Sequence, residues 1–152
     1  MTERIATKTD VEYMREALKE ANKALANGEV PIGAVVVCNG RIIGRGHNQT
    51  EVLTDVTAHA EIIALSAATQ ALGAKYLTDC TLYVTIEPCC MCAGALAWAQ
   101  LSRLVYGADD EKRGYSRCQP SILHPKTTIT KGILADECSQ IVLDFFKGKR
   151  NN

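Results

Sequence analysis

Four residues have types and spacings suited to metal-assisted chemistry. His59 and Glu61 stand two apart in AHAE, and Cys89 and Cys92 stand three apart in EPCCMC. Imidazole and thiolate are common ligands of a tetrahedral divalent ion, and a carboxylate beside the ion can shuttle protons. The CxxC alone would equally suit a redox pair or a structural knuckle. A lone His on an apolar helix is usually a satisfied core residue, and a lone Glu usually faces solvent. Glu61, however, lies in the apolar run AEIIAL, where burial is costly without a purpose.

Joined, H-x-E and P-C-x-x-C form the signature of zinc nucleobase deaminases. In that reading His59, Cys89 and Cys92 hold one Zn2+ and leave the fourth tetrahedral position to water, as catalytic zinc sites do. Glu61 is then the general acid–base of a hydrolytic deamination. On a helix Cys89 and Cys92 share a face, and a thiol at a helix N-terminus is biased toward thiolate. Cys90, turned about 100° away by the helical repeat, is the spare cysteine. The same repeat raises a difficulty, because residues two apart, as His59 and Glu61 are, point about 200° from each other on a regular helix. Two other classes remain in view. A zinc-stabilised structural module would want a fourth protein ligand, and none is well placed; a redox module would have no use for H-x-E.

The elements that must position these residues alternate along the chain. Val11, Met14, Ala17, Leu18, Ala21, Ala24 and Leu25 recur at helical spacing over 10–27, and Gly28 ends the run. PIGAVVVC and RIIGRGHN flank Asn39-Gly40 and read as a hairpin. Thr57, closing the polar loop 49–57, is the expected N-cap of the helix AHAEIIALSAATQALG. TLYVTI reads as a strand, and Pro88 as the first helical position of CCMCAGALAWAQ. RLVYGA and TTITKG read as strands on either side of irregular residues 109–126. ILADECSQIVLDFFKGKR closes the chain as a helix with one apolar stripe through Leu134, Cys138, Ile141, Val142, Phe145 and Phe146. Trp98 is expected as a buried aromatic on a packed helix. The order predicts one α/β domain over residues 1–152, a sheet with helices on both faces.

Composition bounds the rest. No apolar run approaches the roughly 20 residues that span a bilayer, and MTERIATKTD lacks a signal-type apolar region. A soluble cytoplasmic protein is expected. Seven cysteines, an odd number with three crowded together, argue against a disulfide framework. Net charge is zero, but residues 101–152 carry 9 Lys/Arg against 6 Asp/Glu, so the C-terminal third is mildly basic.

The chain resembles the bacterial tRNA-specific adenosine deaminases over nearly its whole length. The resembling stretches are GEVPIGAVVV, RGHN, TAHAEIIAL, CTLYVTIEPCCMCAGAL, RLVYGADD and GILADECSQIVLDFF. The resemblance implies a cytidine-deaminase-like, three-layer α/β fold with a central five-stranded mixed sheet. It implies zinc, one ion per subunit, and deamination of adenosine to inosine at the wobble position of a tRNA anticodon loop, with arginine tRNA the expected partner. It also implies a homodimer. By position, Asn48 and the backbone at Ala60 would hydrogen-bond the base, and Val30 would line the pocket. Asp110 and Lys112 would lie near the flanking nucleotides, and Phe146 with the basic tail would hold the loop.

After GADD the chain departs from that family. A glycine-rich turn with a GS step is replaced by EKRGYSRCQPSILHPKTTITKG, in which only Gly114 survives. Tyr115, Arg117, His124 and Lys126 could make substitute RNA contacts by stacking and charge. The alternative is a free nucleobase or nucleoside deaminase of the same fold, of guanine or cytidine type.

Overall fold

Side chains alternate across each strand, and here the alternation sorts the core into two layers. Ala34, Val36, Leu82, Val84, Leu104 and Tyr106 pack on one face of a sheet, against Ala60, Ala64, Ala68, Ala93 and Leu96. Val35, Val37, Tyr83 and Val105 pack on the other, against Met14, Ala17, Cys138 and Val142. The computed structural model describes residues 2–3, 7–118 and 120–150. Its order is β1 (Thr2–Glu3), α1 (Lys8–Ala26), β2 (Gly33–Cys38), β3 (Arg41–His47), α2 (Ala60–Leu72) and β4 (Cys80–Ile86). Then follow α3 (Cys90–Trp98), β5 (Arg103–Ala108), a short 3-10 turn at Tyr115–Arg117, β6 (Thr128–Lys131) and α4 (Ala135–Arg150).

The strands lie in the order β1-β6-β5-β4-β2-β3. β2 is antiparallel to both β3 and β4, while β4, β5, β6 and β1 run parallel. This is the expected five-stranded mixed sheet, β2 to β6, with the two-residue β1 added at the β6 edge. Helices α2 and α3 cover one face and α1 and α4 the other, giving three layers. The hairpin turns at Asn39 and Gly40, both at positive φ (52° and 74°), the backbone that Asn-Gly adopts readily.

Two features fix α1 and α2 over the sheet. Gly44 and Gly46 on β3 let α2 lie directly on the strand, because a Cβ at either would overlap the carbonyl oxygen of Ala64 or Ala60. On the opposite face, Arg103 of β5 donates both guanidinium nitrogens to the Asp10 carboxylate at 2.8 Å, and one also reaches Thr130 Oγ1 at 2.8 Å. The Tyr83 hydroxyl donates to Asp10 at 2.7 Å, and Asp10 closes a capping box with Thr7 at the start of α1. Asp10 and Arg103 are both buried. Burial alone would raise the Asp10 pKa, but bonds from Arg103, Tyr83 and Thr7 outweigh it and hold the carboxyl at about 2.

Three expectations need correction. Trp98 is not buried but 83% exposed, because it lies on the outward side of α3. Phe146 leaves the apolar stripe of α4 and is 45% exposed, while Phe145 keeps the inner position and the two rings meet edge to face. Tyr115 is buried, with its ring edge-on to Tyr106, so it is core and not a platform for bases. No helix among the described residues is long and apolar enough to cross a membrane.

The Asp10–Arg103 pair should dominate the acid limb of stability. A carboxyl held below its ordinary value of 3.8 stabilises the fold fully above about pH 4 and ceases to as pH falls through 2. Chemical denaturation should show a loss of about 2 kcal/mol over that window, absent in Asp10→Asn. Arg103→Ala should cost about 3–5 kcal/mol at pH 7, since it strands a buried carboxylate.

Candidate metal centre and active site

His59 does not sit inside its helix. It is the N-cap residue of α2, with extended backbone (φ −77°, ψ 155°), and the helix proper begins at Ala60. Cys89 is likewise the N-cap of α3 (φ −72°, ψ 172°), followed by Cys90 at the first helical position and Cys92 at the third. The expected boundaries shift accordingly. Thr57 is not the cap; its N–H and hydroxyl both donate to Asp55 inside the loop. Pro88 precedes the cap of α3 instead of opening the helix.

This placement removes the angular difficulty in the sequence. An N-cap side chain leaves the helical screw and can fold back over the first turn, as capping residues do. His59 and Glu61 therefore meet although they are two apart. Cys89 and Cys92 meet by the same cap geometry, not by sharing a face of a regular helix.

His59 Nδ1 lies 3.7 Å from Cys89 Sγ and 3.5 Å from Cys92 Sγ, and ligand atoms of all three lie within 4.8 Å of one another. Bond lengths of about 2.0 Å to nitrogen and 2.3 Å to sulfur at tetrahedral angles put the donors about 3.5 Å apart. The donor set and its spacing thus fit one tetrahedral divalent ion with two thiolates and one imidazole. Three protein donors leave a coordination position for substrate or water.

The electrostatics favour such an ion. In the metal-free chain the Cys92 thiol bonds to Cys89, which with His59 lowers the Cys89 pKa to about 4. The same pairing, with burial, raises Cys92, and the Cys89 thiolate raises His59. One negative sulfur already faces the N-termini of two helices, whose dipoles stabilise it. Glu61 is 4% exposed, and burial pushes its carboxyl up to about 7, helped by the charge on Cys89. A carboxyl near 7 can both take and give a proton at neutral pH.

The other expected site residues fall into four places. Asn48, at the end of β3, is 9% exposed, and its Oδ1 accepts the N–H of Ala60 at 3.0 Å. Asn48 therefore caps α2 from outside and stands beside the His59 cap. Val30 is half-buried between α1 and β2. Asp110 and Lys112 lie on the loop after β5, where Asp110 Oδ1 accepts the N–H groups of Lys112 and Arg113. Phe146 is on α4.

Sequence reasoning missed two residues that organise the site. Glu29 is buried and accepts the N–H groups of Glu51 and Val52 and the Thr50 hydroxyl, pinning the loop that leads to His59. Glu87 is buried beside Pro88 and holds the loop 110–116. An acidic residue next to a strand or metal motif is the only signal either gives. Cys90 is also more than a spare: it is disulfide-bonded to Cys118, with a Cα separation of 6.6 Å. The odd cysteine count could not reveal that pair, because a 28-residue excursion brings the two together.

Metal content separates the roles. His59→Ala, Cys89→Ser and Cys92→Ser should each reduce bound zinc from about one per chain toward zero by elemental analysis. Glu61→Gln should keep it, because Glu61 is not one of the three donors.

The residue pattern and geometry have close counterparts. Residues 8–150 match the family model of the MafB19-like deaminases. A tRNA-specific adenosine deaminase of Bacillus subtilis is 44% identical over 91% of this chain and 89% of its own length. The chloroplastic tRNA(adenine(34)) deaminase of Arabidopsis thaliana is 43% identical over 89% of this chain, which spans 12% of that longer protein. A solved structure from work on A-to-I editing by tRNA:A34 deaminases superposes with a TM-score of 0.80 at 44% identity, covering 86% of this chain and 98% of the other. With the His-Cys-Cys cluster capped onto two helices and a protonatable Glu beside it, the chain belongs to the MafB19-like deaminases, in the branch of the tRNA-specific adenosine deaminases.

Proposed function

We propose that this chain hydrolytically deaminates adenosine to inosine at the wobble position of a tRNA, using one zinc ion held by His59, Cys89 and Cys92. The observation that carries the reading is the buried Glu61 carboxyl beside three metal donors that leave a position open. Kinship to tRNA adenosine deaminases over nearly the full chain supports the substrate. A bound zinc would supply Lewis acidity that brings the ionisation of a water down to about 7. Glu61 would take one proton from the attacking water and deliver it to a ring nitrogen of adenine as the resulting hydroxide forms the new C–O bond at the amino-bearing carbon. Glu61 would then move the proton of the added hydroxyl to the amino group, the C–N bond breaks, and ammonia leaves with the ring carbon as a carbonyl.

Asn48 orients the base. Its Oδ1 is engaged by Ala60 N–H, which leaves the amide nitrogen as the donor toward an acceptor on the base. Val30 lines the entrance to the pocket. Lys112, Arg113, Arg117, Lys147 and Lys149 are exposed, a set of cations suited to a few phosphates despite the zero net charge. Phe146 offers an exposed ring to a loop nucleotide. An anticodon loop is already single-stranded, so presenting its base costs less than opening a duplex. The partner proposed is arginine tRNA, in the cytoplasm.

The proposal includes a homodimer. Met91, Ala95 and Trp98 form one stripe on the outer side of α3, and Met91 and Trp98 are 41% and 83% exposed. A second copy over that stripe would bury an aromatic that otherwise stands in water, right beside the metal segment.

Metal-replete protein should form inosine in an arginine-tRNA anticodon stem-loop with A at the wobble position, leaving free adenosine, guanine and cytidine unchanged. Glu61→Gln should slow this by roughly 10²–10⁴-fold. Turnover of a free base with an untouched stem-loop would instead establish the small-molecule alternative. Light scattering should give the mass of a dimer for the parent chain and of a monomer for Trp98→Lys.

A further inference from the structure

Glu87 is a buried acid with no cation against it among the described residues, and its exposure is 3%. Both carboxylate oxygens are occupied by backbone instead. One accepts the Asp110 N–H and the other the Ser116 N–H, each at 3.0 Å. Gly114 sits so close that a Cβ there would overlap the Glu87 carboxylate and force it to shift. The loop is also stitched to the residues that follow Glu87. Gly114 forms an isolated antiparallel bridge with Cys89, and Tyr115 N–H donates to the Pro88 carbonyl at 2.8 Å. Within the loop, Gly114 N–H donates to the Asp110 carbonyl at 2.9 Å. The Asp110 side chain closes the turn on Lys112 and Arg113. Residues 110–116 are thus folded around one carboxylate, three residues upstream of the first α3 turn.

We propose that Glu87 is a positioning residue that sets the distance between the loop 110–116 and the metal segment, and thereby fixes how that loop meets the nucleotides beside the target base. The inference rests on the tRNA reading above. Burying a carboxylate is expensive, and here two backbone N–H donors of the loop compensate it. Lys112, Arg113 and Arg117 are exposed around this clamp. If the clamp is released, His59 and Glu61 keep their places at the start of α2, and Cys89 and Cys92 keep the α3 start, where Cys89 retains its bridge to Gly114. The effect therefore falls on RNA engagement and spares the chemical step.

Glu87→Gln keeps the volume but turns one acceptor into a donor facing an N–H. Gly114→Ala attacks the same contact from the loop side, so the pair guards against one variant failing to fold. Both should keep one zinc per chain and raise the KM for the anticodon stem-loop about tenfold, the equivalent of one such bond, with kcat within about threefold. Amide hydrogen exchange should accelerate in 110–116 and stay unchanged in 59–64. An unchanged KM with unchanged exchange in the loop would overturn the proposal, as would a fall in kcat or zinc content at constant KM. Should the parent chain leave the stem-loop untouched, the tRNA reading fails. The exchange measurement still decides the clamp: faster exchange in 110–116 of Glu87→Gln supports it, and parental rates refute it.

Discussion

The site depends on how two helices begin. His59 and Cys89 each occupy an N-cap, with backbone still extended while the next residue is helical. That one conformational choice lets side chains at two-residue and three-residue spacing face the same point. It also aims the positive ends of two helix dipoles at a cluster that holds a thiolate. A helix starting two residues earlier in either segment would scatter the ligands.

The sheet and its packing exist to hold those two starts together. α2 is pressed onto β3 through Gly44 and Gly46, so its first turn lies where β3 ends at His47 and Asn48. Asn48 then completes the start of α2 by accepting the Ala60 N–H. Cys89 reaches the same point because β4, the central strand between β2 and β5, delivers Glu87, Pro88 and Cys89 off its C-terminal end. The polar residues at this end divide the work. Glu29 and Glu87 fix loops through backbone N–H groups, while Glu61 is buried beside the His-Cys-Cys cluster with its carboxyl raised by burial.

Much of this was legible in the sequence because it is local. Helix and strand periodicity, the Asn-Gly turn and the H-x-E and P-C-x-x-C spacings all depend on neighbours a few residues apart. What escaped was long-range or depended on a single residue's backbone state. Spacing alone placed His59 and Glu61 on opposite sides of a helix, since nothing marks His59 as a cap when Thr57 is a better capping residue. Trp98 looked like core because aromatic residues usually are, and only the outward direction of α3 shows otherwise. The Cys90–Cys118 pair and the clasp of Glu87 on residues 110–116 both join α3's approach to a segment far along the chain. The start of that segment is tied down by backbone bonds to the Glu87 carboxylate and the Pro88 carbonyl.

X-ray absorption at the zinc edge of the purified protein tests the central claim most directly, that two capped helices supply three donors and leave one position open. The geometry predicts two sulfur neighbours at about 2.3 Å and two light-atom neighbours near 2.0 Å, one from His59 and one from solvent. Three or four sulfurs, or a shell filled entirely by protein, would make the centre structural and contradict the catalytic assignment.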